Sequence, residues 1–171
     1  MSVTVKELAP VGRLSVRTER ADAEGLVDAL GLELPQRIGT RATTGGRDAL
    51  CVGPDEWTVT LPEVDCAAVI AALDELDEPA CAVDISHRET TFAIEGPDGD
   101  TLLSMGCPID VTAIESGAGT RTVFADVPVT LWRDGPTLVR MDVWRSFAPQ
   151  VRTILEDGLG ELAAQQKLRA A

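Results

Sequence analysis

The sequence contains no tyrosine and one histidine, His87. Few side chains are therefore able to move a proton near neutral pH, which leaves an acid–base enzyme little to work with. Lysine occurs twice, at Lys6 and Lys167, against thirteen arginines, and the formal net charge is −13. A surface this acidic repels phosphate backbones and argues against nucleic acid as a partner. Arginine, the cation that remains, is the better suited to interfaces, because its planar fork pairs bidentately and sheds water more readily. No two cysteines are close: Cys51, Cys66, Cys81 and Cys107 lie 15, 15 and 26 residues apart. With no C-x-x-C and a lone histidine, a zinc site lacks its ligand pairs, and four free thiols, most of them buried, are expected. No segment reaches the roughly 18 apolar residues of a membrane span. The start, Met1-Ser2-Val3-Thr4-Val5-Lys6-Glu7, lacks the basic and apolar regions of a signal peptide, so the expected location is cytoplasmic, with no membrane partner. Gly45-Gly46 and Gly117-Ala118-Gly119 lack the third glycine and following helix of a dinucleotide fingerprint, and neither a P-loop nor a G-x-S-x-G is present.

What is present is an ordinary globular composition, 44% hydrophobic and 25% charged over 171 residues, enough for one domain with a core. Residues 1–20, broken by Pro10 and Gly12, read as an extended arm. Residues 21–32 carry a short helical pattern on Leu26 and Leu30, stopped by Gly31. Residues 35–46 read as a loop. Strands follow at 49–52 and 57–61, then a helix at about 64–76 with an acidic start. Residues 80–85 are nearly all apolar, which predicts a central, buried strand. A strand at 90–94, a short helix after Gly96-Pro97-Asp98, and strands at 120–125, 127–133 and 138–143 complete the sheet. Ser146 is placed to cap a last helix from Phe147, which Gly158 and Gly160 should interrupt. The order predicts an α+β fold, a mostly antiparallel sheet with helices on one face and ferredoxin-like character, as a single domain over 21–160 with a helical or frayed tail at 161–171.

Several residues admit two readings. His87, in Asp84-Ile85-Ser86-His87-Arg88, is either an acid–base or flavin contact, or part of a polar turn in which Asp84 or Ser86 bonds backbone. Asp110 is either a functional carboxylate or a cap. Cys107 sits near a helix end, away from the N-terminus that would activate it. Trp132-Arg133 and Trp144-Arg145 either place tryptophan in the core with arginine outside, or turn one pair toward a partner. Trp57 reads as core. The acidic run Glu63, Asp65, Asp74, Glu75, Asp77 and Glu78 is either a solvated face or a dock for a basic partner.

In order along the chain stand Gly53-Pro54-Asp55-Glu56-Trp57, Val83-Asp84-Ile85-Ser86-His87-Arg88 and Ile94-Glu95-Gly96-Pro97 leading to Leu102-Leu103. Then come Gly106-Cys107-Pro108-Ile109-Asp110, Thr120-Arg121-Thr122, Leu131-Trp132-Arg133 and Arg145-Ser146-Phe147-Ala148. This ordered set, over roughly residues 48–155, resembles the gamma subunits of heterotetrameric sarcosine oxidases. The resemblance implies a structural, assembly role without a cofactor or catalytic residue in this chain. It implies alpha, beta and delta partner subunits carrying FAD, FMN, NAD, tetrahydrofolate and zinc. The complete enzyme would demethylate sarcosine to glycine, forming hydrogen peroxide and 5,10-methylenetetrahydrofolate in one-carbon metabolism. Asp84-Ile85-Ser86-His87 followed by a strand and Gly96-Pro97-Asp98 is similar, more distantly, to the first domain of folate-dependent aminomethyltransferases. That likeness implies an alternative, a folate-binding or one-carbon module with His87 and Asp110 as site candidates. On the first reading Arg88, Trp144 and Arg145 are expected at the partner interface, by the chemistry of hot spots.

Overall fold

The computed structural model describes residues 3–19, 21, 23–77 and 79–170. Contacts divide the chain into two units. One comprises Pro10–His87 with Gly117–Gly119; the other comprises Met1–Ala9, Arg88–Ser116 and Thr120–Ala171.

In the first unit, Leu14 and Val16 alternate with polar residues along β2 (Gly12–Thr18) and pair in register with Val59 and Trp57 of β5 (Glu56–Leu61). These side chains share one face with Ala49 and Cys51 of β4 (Arg47–Gly53) and are covered by two helices. The helix α1 (Glu24–Leu30) lays down Leu26 and Leu30 and ends on Gly31, whose φ of 68° only glycine adopts without cost. The helix α2 (Cys66–Asp74), entered through a 3-10 turn at Glu63–Asp65, contributes Cys66, Val69 and Leu73. Burying each large aliphatic side chain contributes about 1.5–3 kcal/mol. With β3 (Arg41–Thr44) and β6 (Ala80–Asp84) the sheet order is β3-β4-β5-β2-β6, antiparallel throughout. The run β2-α1-β4-β5-α2-β6 is the βαββαβ arrangement of the ferredoxin-like fold, extended by β3 at one edge.

The second unit has the order β1-β7-β10-β9-β8, from β1 (Thr4–Glu7), β7 (Glu89–Glu95), β8 (Gly119–Phe124), β9 (Val127–Gly135) and β10 (Leu138–Trp144). Ala125 and Asp126, both at positive φ, make the two-residue turn from β8 to β9. Phe92, Ile94, Leu131, Val139, Met141 and Val143 form the inner face, against Leu102 and Leu103 of α3 (Gly99–Ser104) and Val151 and Leu155 of α4 (Ala148–Ala170). On the opposite face the Trp132 indole N–H donates to Asp142 at 2.7 Å, and the Thr91 hydroxyl donates to the same carboxylate at 2.5 Å.

The α+β class, the antiparallel pairing and the ferredoxin-like character stand. Other expectations are corrected. The described residues build two sheets, one in each contact unit, where one sheet was expected. The expected arm supplies β1 and β2, because the Leu14/Val16 alternation buries one side of a strand that the arginines had disguised. The loop at 35–46 contains β3. Neither Gly158 nor Gly160 interrupts α4; Gly158 lies where a Cβ would come within 2.6 Å of Leu102 Cδ1, so its smallness lets α3 and α4 approach. The helix continues to Ala170, so of the two forms expected for the tail the helical one is present. Its first carbonyl acceptor is Phe147, bonded by Val151 N–H at 3.0 Å, so Ser146 lies in the preceding turn. Arg133 is buried beside Trp132 rather than outside it.

Candidate functional site

The chain has six aromatic residues, three tryptophans and three phenylalanines. Trp57, Phe92, Phe124 and Trp132 are buried. The other two, Trp144 at 49% and Phe147 at 38% exposure, stand together on the surface. Local backbone geometry explains the pairing. Trp144 ends β10 opposite Glu89, and the chain then turns, with Phe147 N–H donating to Trp144 O at 2.8 Å. That turn brings the rings to 6.4 Å between centroids, tilted by 30°. Arg145 N–H donates to Arg88 O at 2.9 Å, which ties the turn to the start of β7. The Arg88 guanidinium lies 5.8 Å from the Trp144 ring centroid and pairs with Glu89 at 2.7 Å. Arg145 is exposed beside them.

The structure thus brings together the three residues expected at an interface, Arg88, Trp144 and Arg145. Sequence reasoning missed Phe147, although its three-residue spacing from Trp144 across a turn was visible. The patch offers two aromatic faces and two guanidiniums, the chemistry most enriched where a few residues dominate binding.

The two folate-site candidates lie in different units, and each is engaged locally. His87 is 77% exposed, with Nε2 at 3.7 Å from Glu63 Oε1. In the turn before it, the Ser86 hydroxyl and backbone N–H both donate to Asp84 Oδ1, at 2.6 and 2.9 Å. These bonds, the hydroxyl first, hold the Asp84 carboxyl below its ordinary value, against a smaller opposing effect of burial. Ser86 Oγ in turn accepts from Arg13 N–H at 2.9 Å. The polar-turn geometry is therefore the one present. Asp110 caps the 3-10 turn Val111–Ala113: Oδ1 accepts from the Thr112 hydroxyl at 2.6 Å and the Thr112 N–H at 3.0 Å. Those two bonds lower its pKa.

The thiols Cys51, Cys66 and Cys107 are buried and free, while Cys81 is exposed and free. Burial pushes the Cys107 thiol up to about 11, far from a nucleophile. Among the described residues no group of three or more His, Cys, Asp or Glu side chains could hold a metal ion. Gly45 and Gly46 form the tip of the β3–β4 hairpin at positive φ, with nothing within 4 Å of an added Cβ, so they serve a turn and not a phosphate cradle. Of the acidic run, Asp65 pairs with Arg47 at 2.9 Å and Glu63 faces His87. Asp74, Glu75 and Asp77 follow at the end of α2, and Glu78 lies outside the described residues. Among the described residues no helix is long and apolar enough to cross a membrane.

No family model matches the chain. Among curated proteins it is similar to the sarcosine oxidase subunit gamma of Corynebacterium sp. strain P-1, 30% identical over 171 residues, covering 96% of this chain and 83% of that one. It is 33% identical over 141 residues to the subunit of the same name from Arthrobacter sp., covering 78% and 68%. Among solved structures it superimposes on the heterotetrameric sarcosine oxidase of Corynebacterium sp. U-96, with a TM-score of 0.83 at 28% identity, over 93% of this chain and 84% of the matched chain. The fold alone is shared with the glycine cleavage system aminomethyltransferase T of Bartonella henselae: TM-score 0.67, 11% identity, 90% of this chain and 45% of that one.

Proposed function

This chain belongs to the family of sarcosine oxidase gamma subunits, and from that premise we propose that it acts as a non-catalytic subunit that holds a heterotetrameric sarcosine oxidase together. The observation that carries the reading is the surface patch of Trp144, Phe147, Arg88 and Arg145. Both exposed aromatics of the chain meet there, flanked by guanidiniums. A subunit that binds only the folded state of its partners stabilises them by mass action, without chemistry of its own. The engagement of Asp110 as the cap of a 3-10 turn supports the same reading over a folate-binding or one-carbon module.

On this proposal the partners are the alpha, beta and delta subunits of a cytoplasmic enzyme. They hold FAD, FMN, NAD, tetrahydrofolate and zinc, and the holoenzyme converts sarcosine to glycine with hydrogen peroxide and 5,10-methylenetetrahydrofolate. No step of that reaction is assigned to a residue of this chain. The test is a double substitution, Trp144→Ala with Arg145→Ala, in a co-expressed complex. The expected result is loss of this chain from the purified complex, while its own fold by circular dichroism is kept. Retention of the doubly substituted chain at wild-type stoichiometry would remove the patch from the interface. Titration of the isolated chain with tetrahydrofolate, followed by tryptophan fluorescence, separates the alternative: micromolar binding would favour it.

A further inference from the structure

The four sheet edges of this chain are not alike. The edge strands β1, β3 and β8 carry charge at Lys6 and Glu7, at Arg41, and at Arg121. Charged side chains are a common device by which proteins keep edges from pairing with other chains. The remaining edge, β6, reads Ala80-Cys81-Ala82-Val83-Asp84. Its only charge is the terminal Asp84, whose carboxylate is turned onto Ser86. Its apolar pattern is that of a strand buried on both sides, yet Val83 is 53% exposed and Cys81 is exposed.

The backbone of β6 is half used. Ile85 N–H donates to Arg13 O at 2.8 Å, and the register continues Ser15↔Val83 and Arg17↔Cys81. In an antiparallel ladder the bonded pairs alternate, so Val83 and Cys81 turn their backbone groups to β2, and those of Ala80, Ala82 and Asp84 point away from the sheet. The surroundings specify what fits that edge. From residue 48 to residue 87 the chain has ten acidic residues and no lysine or arginine; Asp48, Asp55, Glu56 and Asp65 among them pair with arginines, Arg17 on the neighbouring β2 included, and the acids nearest the strand are others. Asp74, Glu75 and Asp77 stand just before the strand, and Asp84 at its end.

We infer that β6 is a strand-addition site, which takes an extended segment of a larger partner subunit with an apolar centre and flanking arginine or lysine side chains. Main-chain bonds to Ala80, Ala82 and Asp84 extend the sheet by one strand, Val83 and Cys81 gain apolar cover, and the acidic flanks set polarity and register. The inference rests on the subunit reading above and adds a second contact, in the other unit, to the Trp144 patch.

Two variants attack the edge by different physics. Ala82→Pro removes an N–H that points away from β2, which an edge strand tolerates. Val83→Lys places a cation on an exposed position facing a cationic partner. Ile38→Lys, at a position 59% exposed, controls for added charge. Each chain is co-expressed with the partner subunits, and its apparent affinity in the complex is read by competitive exchange against labelled wild-type chain. Circular dichroism melts report the fold. The expected result is at least a tenfold loss of affinity for Ala82→Pro and for Val83→Lys, none for Ile38→Lys, and a wild-type affinity that falls with added salt. Wild-type affinity in both edge variants, with folds intact, would overturn the inference while leaving the subunit reading in place. A dimer of the wild-type chain that Val83→Lys abolishes, with complex assembly unchanged, would also overturn it, because the occupant would be a second copy. Failure of the wild-type chain to join any complex would overturn the subunit reading itself.

Discussion

Removing Asp100 should destabilise this chain more than removing its partner Arg133. The guanidinium of Arg133 is buried in β9, its side chain 5% exposed, while that of Asp100 in α3 is 31% exposed. Arg133 Nη2 donates to Asp100 Oδ1 at 2.6 Å and to Val111 O at 2.7 Å, and Nη1 reaches Asp100 Oδ2 at 3.5 Å and Pro136 O at 3.4 Å. Nε is buried without a partner among the described residues. Asp100→Ala therefore leaves a charge in the interior with only carbonyls against it. Breaking a fully buried pair in this way costs about 3–5 kcal/mol. Because Asp100 is a third exposed, water reaches the vacated side, and about 2 kcal/mol is the expected loss. Arg133→Met removes the buried charge and lifts the desolvation of Nε; it leaves Val111 O and Pro136 O without their donor and the Asp100 carboxylate, a third exposed, to water, a loss of about 1 kcal/mol. Denaturant unfolding of the two variants, compared at equal slope, reads the difference. An Arg133→Met variant less stable than Asp100→Ala would refute the reasoning.

Three further outcomes follow from the geometry. At Gly106 an added Cβ would lie 2.7 Å from the fully buried Phe124 ring, whereas at Gly160 on the exposed side of α4 it would meet nothing within 4 Å. Gly106→Ala should lower stability by about 1–3 kcal/mol through overpacking, and Gly160→Ala should raise it by about 0.5–1 kcal/mol, both read as shifts in the thermal midpoint. A thiol reagent at pH 8 should modify Cys81 quickly and the other three only on unfolding. Since Cys107 titrates near 11 in the fold, its contribution to stability is complete below the ordinary thiol value and is lost as pH rises through the folded one. Thr112→Val should return the Asp110 carboxyl toward its ordinary pKa by NMR titration. In the wild-type chain that depressed value gives stability present above the unfolded pKa and lost as pH falls through the folded one.

Much of the architecture was legible where pattern and punctuation agree. The alternation from Trp57 to Leu61 and from Thr90 to Ile94 gave strands that the structure contains, and Gly31 ends a helix as its conformational freedom suggests. The errors share a physical origin. Apolar composition fixed neither burial nor place in the sheet at β6, which read as central and buried although it is an edge strand with no buried residue. Arg13 and Arg17 hid the alternation of β2, and the buried place of Arg133 depends on Asp100, a partner distant in sequence. The division into two units depends on pairings such as that of Val5 with Ile94, which no local window reveals. Arg88, Trp144 and Arg145 were expected at an interface from hot-spot chemistry; the structure brings the three together on the surface, and adds Phe147 to them. At His87 and Asp110 the sequence left a functional and a local reading open; the polar turn of Asp84 and Ser86 and the cap by Asp110 are the geometries present.

The most direct measurement is sarcosine turnover by the partner subunits expressed with and without this chain, alongside the purified chain alone. The account predicts no turnover by the chain alone, an active complex when all subunits are present, and failure of assembly when this one is omitted. A stable, fully active enzyme formed without it, or turnover by the single chain, would contradict the account.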